Sequence, residues 1–332
     1  MGKFIKDMFD NNKILESIAK IIGVEVDSLV LLKRGFQSFV FRGHYENKET
    51  IIKVTHNSHR QRALIESEID FIKYLAESGV SVADSLRFPN GNYTEIIDLD
   101  ESYFTVSLFE FSNGLRAKIA EEKSEFYQCL GEIVGRVHTL SKKYKPIQIK
   151  RPEWNENNSL RQFKQFVPDS LHKVHERFDS IILSIEELRK SNDSYGLIHG
   201  DIYPGNYLNE NGKVRLIDFD RCEYSWFVSD IAMPLFYETP IPWVVDGEKR
   251  KNIALRFFNN FMEGYHKTNS IDSNWLKSIP LFIDLRQVVV ISTIYRSYDF
   301  CNYEDWKQWD KEALKFYINN LETNNDYINI KF

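Results

Sequence analysis

Residues 197–220 read LIHGDIYPGNYLNENGKVRLIDFD. Within this stretch stand Asp201, Asn206 five positions on, and Asp218 beyond a turn. Apolar runs flank all three. Asn211-Gly212 separates a candidate strand at residues 207–208 from another at 214–217, the pattern of a hairpin closed by a tight Asn-Gly turn. Such a hairpin would turn Asp218 back toward the loop that carries Asp201. A carboxylate that takes a proton, with an amide oxygen and a second carboxylate that hold a hard cation, is the set that phosphoryl transfer from Mg·ATP requires. Alone, an Asp ahead of a Pro-Gly turn is more simply a turn former. Two features upstream shift that balance.

The run HGDxxxxN followed by IDFD resembles the catalytic and metal-binding segment of the eukaryotic-like kinases. With Gly200 where protein kinases carry Arg, it is similar to the aminoglycoside phosphotransferase and choline kinase family, whose members act mostly on small molecules. The resemblance implies an α+β, bilobal, protein-kinase-like fold. A small antiparallel β-sheet N-lobe would occupy residues 1–112 and a larger helical C-lobe residues 113–332. It further implies Asp201 as catalytic base, Asn206 and Asp218 as Mg²⁺ ligands, and ATP as donor. Gly200 removes the usual partner of a phosphorylated activation loop, so regulation of that kind is not expected.

At 332 residues the chain is long for one core, and one two-lobed domain or two domains is expected. Hydrophobic residues at 42% and charged residues at 27% are an ordinary globular balance. A net charge of −5 gives no electrostatic reason to expect nucleic acid or an anionic membrane as partner. Cys129, Cys222 and Cys301 lie far apart, which argues against a disulfide framework and for a reducing compartment. The opening MGKFIKDMFDNNK lacks a signal-peptide core, and Lys6 stands where a myristoylation motif wants Ser or Thr. With no run approaching a membrane span, a soluble cytoplasmic protein is expected.

Residues 13–22 carry a helical apolar stripe that ends at Gly23. Short β-rich runs follow at 29–32, 39–43 and 50–55. The family resemblance makes residues 34–38 the loop over the ATP phosphates, with Ser38 facing them, although a plain hairpin reads equally well. Lys53 sits inside the apolar run Ile51-Ile52-Lys53-Val54, where an ammonium is costly unless it reaches water or an anion. In the family this Lys binds the α- and β-phosphates and is held by a Glu on the next helix. That helix spans 62–78; Glu66 and Glu68 compete for the pairing, and the apolar register at Ile72 and Leu75 selects Glu68. Strands at 93–98 and 103–109 lead into Phe109–Gly114, which resembles the interlobe hinge. There the Glu110 carbonyl and the Ser112 amide would read adenine.

Beyond it, residues 118–143 and 160–189 read as helices. His138 reads as a buried, hydrogen-bonded histidine. His56-x-x-His59 and His172-x-x-His175 lack a third ligand, so zinc is not expected. Residues 226–237 form an apolar helix broken at Pro234, with Asp230 in the position that supports the family's catalytic loop. Helical sequence continues across 249–267, 276–298 and 303–321. Tyr203 and the aromatics Trp243, Tyr295, Tyr298, Trp306 and Trp309 are candidates for an acceptor pocket. Asp299, Glu304, Asp305 and Asp310 could hold a cationic acceptor, though core packing and a solvated acidic face explain them as simply. P-loop, dinucleotide-fingerprint, esterase, zincin and CxxC motifs are absent from the sequence.

The expected activity is transfer of the ATP γ-phosphoryl to a hydroxyl of a small molecule, such as an aminoglycoside, choline or another amino-alcohol, or homoserine. The alternatives are a bacterial stress-response Ser/Thr protein kinase sharing the fold and a catalytically silent binding module.

Overall fold

The computed structural model is described for residues 12–34, 38–147, 149–298 and 302–331. Residues 35–37 of the loop expected over the phosphates, together with Asp299 and Cys301, therefore lie outside the described residues.

Two compact units divide the chain. The first takes Met1–Leu115 together with two later segments, Tyr144–Arg151 and Arg215–Asp220. The second takes Arg116–Lys143, Pro152–Val214 and Arg221–Phe332.

In the first unit, helix α1 (Asn12–Ile22) ends at Gly23, whose φ of +78° only glycine adopts freely. Strands β1 (Val30–Arg34), β2 (Ser38–Tyr45), β3 (Lys48–His56), β4 (Ser85–Leu86), β5 (Thr94–Asp98) and β6 (Tyr103–Glu110) form a six-stranded antiparallel sheet. Its order is β1-β2-β3-β6-β4, with β5 also pairing β6. Ile14, Ile18 and Ile22 fall on one face of α1 and join Phe39, Phe41, Ile52, Val54 and Val106 in the core. Helix α2 (Arg62–Glu77) follows β3 and buries Ile65, Ile69, Ile72 and Leu75 at helical spacing. The segment Arg215–Asp220 is fastened by main chain. The Leu216 N–H donates to the Ser81 carbonyl at 3.0 Å, and the Ala83 N–H donates to the Leu216 carbonyl at 3.0 Å.

The second unit is mainly helical, with α3 (Ser124–Ser141), α4 (His172–Glu186), α5 (Phe227–Glu238), α6 (Gly247–Tyr265), α7 (Ile279–Ser297) and α8 (Gln308–Thr323). Helices α3 and α6 touch backbone to backbone. A Cβ on Gly131 would lie 1.8 Å from the Phe261 carbonyl oxygen, and one on Gly264 1.8 Å from that of Gln128. Strands β7 (Tyr195–Ile198) and β10 (Glu223–Trp226) pair antiparallel. Strands β8 (Tyr207–Glu210) and β9 (Lys213–Leu216) make the expected hairpin, with Asn211 at φ +55° and Gly212 at +89°.

Two helical expectations need correction. The helix read across 160–189 is interrupted: single turns at Asn158–Arg161 and Phe163–Phe166 stop before Val167-Pro168, and α4 begins only at His172. Pro234 does not break α5, which continues to Glu238. Pro234 forfeits one backbone bond, to the Asp230 carbonyl, and buried packing on both sides holds the helix. Ser273–Ser297 is long and apolar enough by composition to cross a membrane. Half of its apolar window is buried inside the protein, and Asp284 and Arg286 are paired there, as in a core helix.

Candidate active site

Lys53 lies mid-strand in β3, opposite Val40 of β2 and Ser107 of β6, and is 8% exposed. Its ammonium donates to Asp218 Oδ1 at 3.0 Å and to Asp220 Oδ1. Burial disfavours that charge, but Asp218, Asp220 and Glu68 together hold the Lys53 pKa above the ordinary lysine value. Asp218 sits at φ +62°, a left-handed conformation that Asp tolerates better than most residues. Beside it Phe219 is buried 6.0 Å from the ring of Phe71 on α2.

The direct pairing of Lys53 with Glu68 is not what forms. Glu68 Oε2 accepts from Arg60 Nη1 at 2.6 Å, and Arg60 Nη2 donates to Asp220 Oδ1 at 2.6 Å. Arg60 has thus entered between the lysine and the helix glutamate. The reason is charge: with two carboxylates already on Lys53, the 1%-exposed Glu68 needs a cation of its own. Arg151 closes the group by donating to the Asp220 carbonyl at 2.8 Å and to that of Leu64 at 2.7 Å. Burial opposes ionisation of Asp220, yet Arg60 and Lys53 hold its carboxyl well below the usual carboxylate range. The competing Glu66 accepts from Arg62 at 2.7 Å and from Thr94 at 2.8 Å.

Ser38 opens β2 opposite Thr55, half-buried. Glu110 ends β6; its N–H donates to the Asp84 carbonyl at 2.8 Å and its carboxylate pairs with Arg215. Ser112 Oγ accepts the Gly114 N–H at 3.1 Å.

In the second unit, the loop after β7 carries Asp201. Asp230 supports that loop by accepting the His199 N–H at 2.7 Å and the Gly200 N–H at 2.9 Å. His138, buried against Phe227, donates or accepts at the Tyr265 hydroxyl at 2.9 Å, and burial lowers its pKa. Gly200 has φ +74°, and a Cβ there would lie 2.4 Å from the Arg221 carbonyl oxygen. An arginine at this position is therefore excluded by the backbone itself. Asn206 turns Nδ2 to the Asp201 carbonyl at 3.0 Å and to Asp201 Oδ2 at 3.1 Å. In the second unit no described residue donates to Asn206 Oδ1, and in the first none donates to Asp218 Oδ2; each is an oxygen of the type a hard cation takes.

Arg286 on α7 donates through Nη2 to Asp201 Oδ1 at 3.1 Å and through Nε to the Tyr237 hydroxyl at 2.9 Å. The Tyr203 ring lies 5.4 Å from that of Tyr237.

Residues 29–267 match the family described as Phosphotransferase enzyme family. The chain belongs to that family. This phosphotransferase is 31% identical over 300 residues to the amicoumacin kinase of Bacillus subtilis (strain 168), covering 90% of its own length and 88% of the relative's. The structure of the amicoumacin kinase hAmiN in complex with AMP-PNP, Ca²⁺ and Ami superposes with a TM-score of 0.92 at 26% identity, over 100% of this chain and 98% of that one. The choline kinase LicA from Streptococcus pneumoniae shares the fold, with a TM-score of 0.60 at 12% identity, covering 95% and 99%. The α+β, protein-kinase-like fold and the enzyme class expected from the motif therefore hold.

Four residues at these positions escaped the sequence reading: Arg60, Asp220, Arg286 and Tyr237. Asp220 carried a signal, as the second carboxylate of IDFD in apolar surroundings. Arg286 carried one too, as a cation inside the apolar run of α7. Arg60 and Tyr237 carried none.

Proposed function

We propose that this phosphotransferase is an ATP- and Mg²⁺-dependent kinase that phosphorylates a hydroxyl of a small-molecule acceptor, with an antibiotic of the amicoumacin kind first among candidates. The observation that carries this reading is its 31% identity to an amicoumacin kinase across 90% of the chain. The acid and amide groups described above fit the same chemistry.

ATP would supply the γ-phosphoryl group, and Mg²⁺ would neutralise the charge that develops as it leaves. Asn206 and Asp218 offer oxygens to the divalent cation. Lys53 orients the α- and β-phosphates, and Glu68 acts on it through Arg60 and Asp220. The Glu110 carbonyl and Ser112 amide are assigned to adenine and Ser38 to the phosphates. Asp201 accepts a hydrogen bond from the acceptor hydroxyl and aims it. The hydroxyl oxygen bonds to the γ-phosphorus, the bond from phosphorus to the β-bridging oxygen breaks with its electron pair going to ADP, and the hydroxyl proton passes to Asp201.

The test is incubation with Mg·ATP and a panel of amicoumacin, aminoglycosides and amino-alcohols, followed by mass detection of a phosphorylated acceptor. A phosphorylated product with any of them supports the reading, and amicoumacin should be the best substrate. Absence of product and of Mg²⁺-dependent ATP turnover with every acceptor contradicts it.

A further inference from the structure

Asp201 stands among cations. Arg286 Nη2 holds Oδ1 at 3.1 Å and Arg221 Nε approaches Oδ2 to 3.9 Å. Arg296, ten residues beyond Arg286 on α7, lies near enough to Arg221 that burial and then that neighbouring charge lower its pKa. No described acid other than Asp201 pairs with any of these three arginines. Asp284, on the same helix, is taken by Arg177 at 2.6 Å, and Asp310 accepts from the Tyr298 hydroxyl at 2.6 Å.

Arg286 is fixed rather than floating. Its Nε and Nη2 both donate to Tyr237, its guanidinium carbon lies 5.0 Å from that ring's centroid, and its side chain is 12% exposed. Burial disfavours the cation, but Tyr237 and Asp201 hold its pKa above the ordinary arginine value. The guanidinium therefore stays charged. Its Nη1 carries two more N–H donors, and no described residue accepts them. Donors so placed, beside the carboxylate assigned to the acceptor hydroxyl, want an oxygen.

We infer that Arg286, with Arg221, reads an oxygen on the carbon next to the hydroxyl that is phosphorylated. The preferred acceptor is then an α-hydroxy amide or α-hydroxy acid, not a 2-amino alcohol. This rests on the kinase reading of Asp201 above. A hydroxyl aimed at Asp201 carries its neighbouring substituent toward the free face of Arg286. A carbonyl oxygen there accepts charge-assisted hydrogen bonds, whereas an ammonium meets like charge.

Matched two-carbon probes test it: glycolamide and glycolate against ethanolamine. Each is titrated, with Mg·AMP-PNP present, for thermal stabilisation of the full chain. The two carbonyl probes should act at concentrations roughly tenfold or more below ethanolamine, the selectivity of a good charge-assisted contact. Arg286→Met should reduce that preference to within about twofold. Arg221→Met, at a more exposed position, should reduce it in part and carries the test should Arg286→Met fail to fold. Equal potency, a preference for ethanolamine, or no response to any probe overturns the inference. If the protein still responds to Mg·AMP-PNP in that case, the acceptor class alone is wrong. If that response is missing too, the kinase reading falls with it.

Discussion

Arg60 and Glu68 form a buried ion pair at 2.6 Å, and it takes the carboxylate that the sequence assigns to Lys53. The pair continues through Asp220 to Lys53, so four charges share one desolvated group. Removing one member leaves the others uncompensated, which costs more than the pair contributes. Arg60→Met should lower unfolding stability by about 3–5 kcal/mol. Urea denaturation of Arg60→Met, Glu68→Gln and the double variant should show strong non-additivity, the double losing less than the sum. Additive losses would mean that the two side chains act independently.

Lys53 and Asp218 are bonded to each other at 3.0 Å. Asp218→Ala should abolish most of the thermal stabilisation that Mg·AMP-PNP confers, since ligand stabilisation follows affinity logarithmically. Lys53→Met should weaken the response less, because Asp218 then remains as a cation ligand. An unchanged melting shift in Asp218→Ala contradicts its assignment.

Gly200 combines a φ of +74° with a 2.4 Å approach of any Cβ to the Arg221 carbonyl oxygen. Gly200→Ala should lower stability by about 1–3 kcal/mol. It should also depress turnover by moving the Asp201 loop. Thermal melting and the turnover number check both, and a variant as stable and active as wild type would rule out the strain.

The pH dependence of stability has two windows. Burial lowers the His138 pKa, so its contribution is complete above the unfolded value near 6.5 and is lost as pH falls below it. Asp220 is also lowered in the fold, so its contribution is complete above the unfolded value of about 3.9 and declines at more acid pH. Melting temperatures from pH 8 to pH 4 should therefore fall below about pH 6.5, and His138→Gln should flatten that first decline. His56, also lowered by burial, would leave a residual slope. An unaltered decline in His138→Gln would place its origin elsewhere.

Features with a local physical cause were legible in the sequence. Asn211-Gly212 gives a hairpin because its positive φ values are cheap for those residues. Lys53 stood out because a lysine inside an apolar strand needs an anion. Features decided by tertiary partners were not. Arg60 precedes α2 with nothing in its neighbours to show that it meets Asp220, which is 160 positions away. The continuation of α5 through Pro234 depends on packing that holds the helix against its local preference. Arg286 was visible as an anomaly inside α7, but its partner Asp201 lies 85 positions earlier, beyond any periodicity.

The central claim is that Asp201 aims an acceptor hydroxyl for phosphoryl transfer. The most direct measurement compares Asp201→Asn with wild type for phosphorylated amicoumacin by mass spectrometry, with the Mg·AMP-PNP melting shift recorded on both proteins. The variant should keep the shift and lose product by about a hundredfold or more. Product formed near the wild-type rate, with the nucleotide response intact, would contradict the claim.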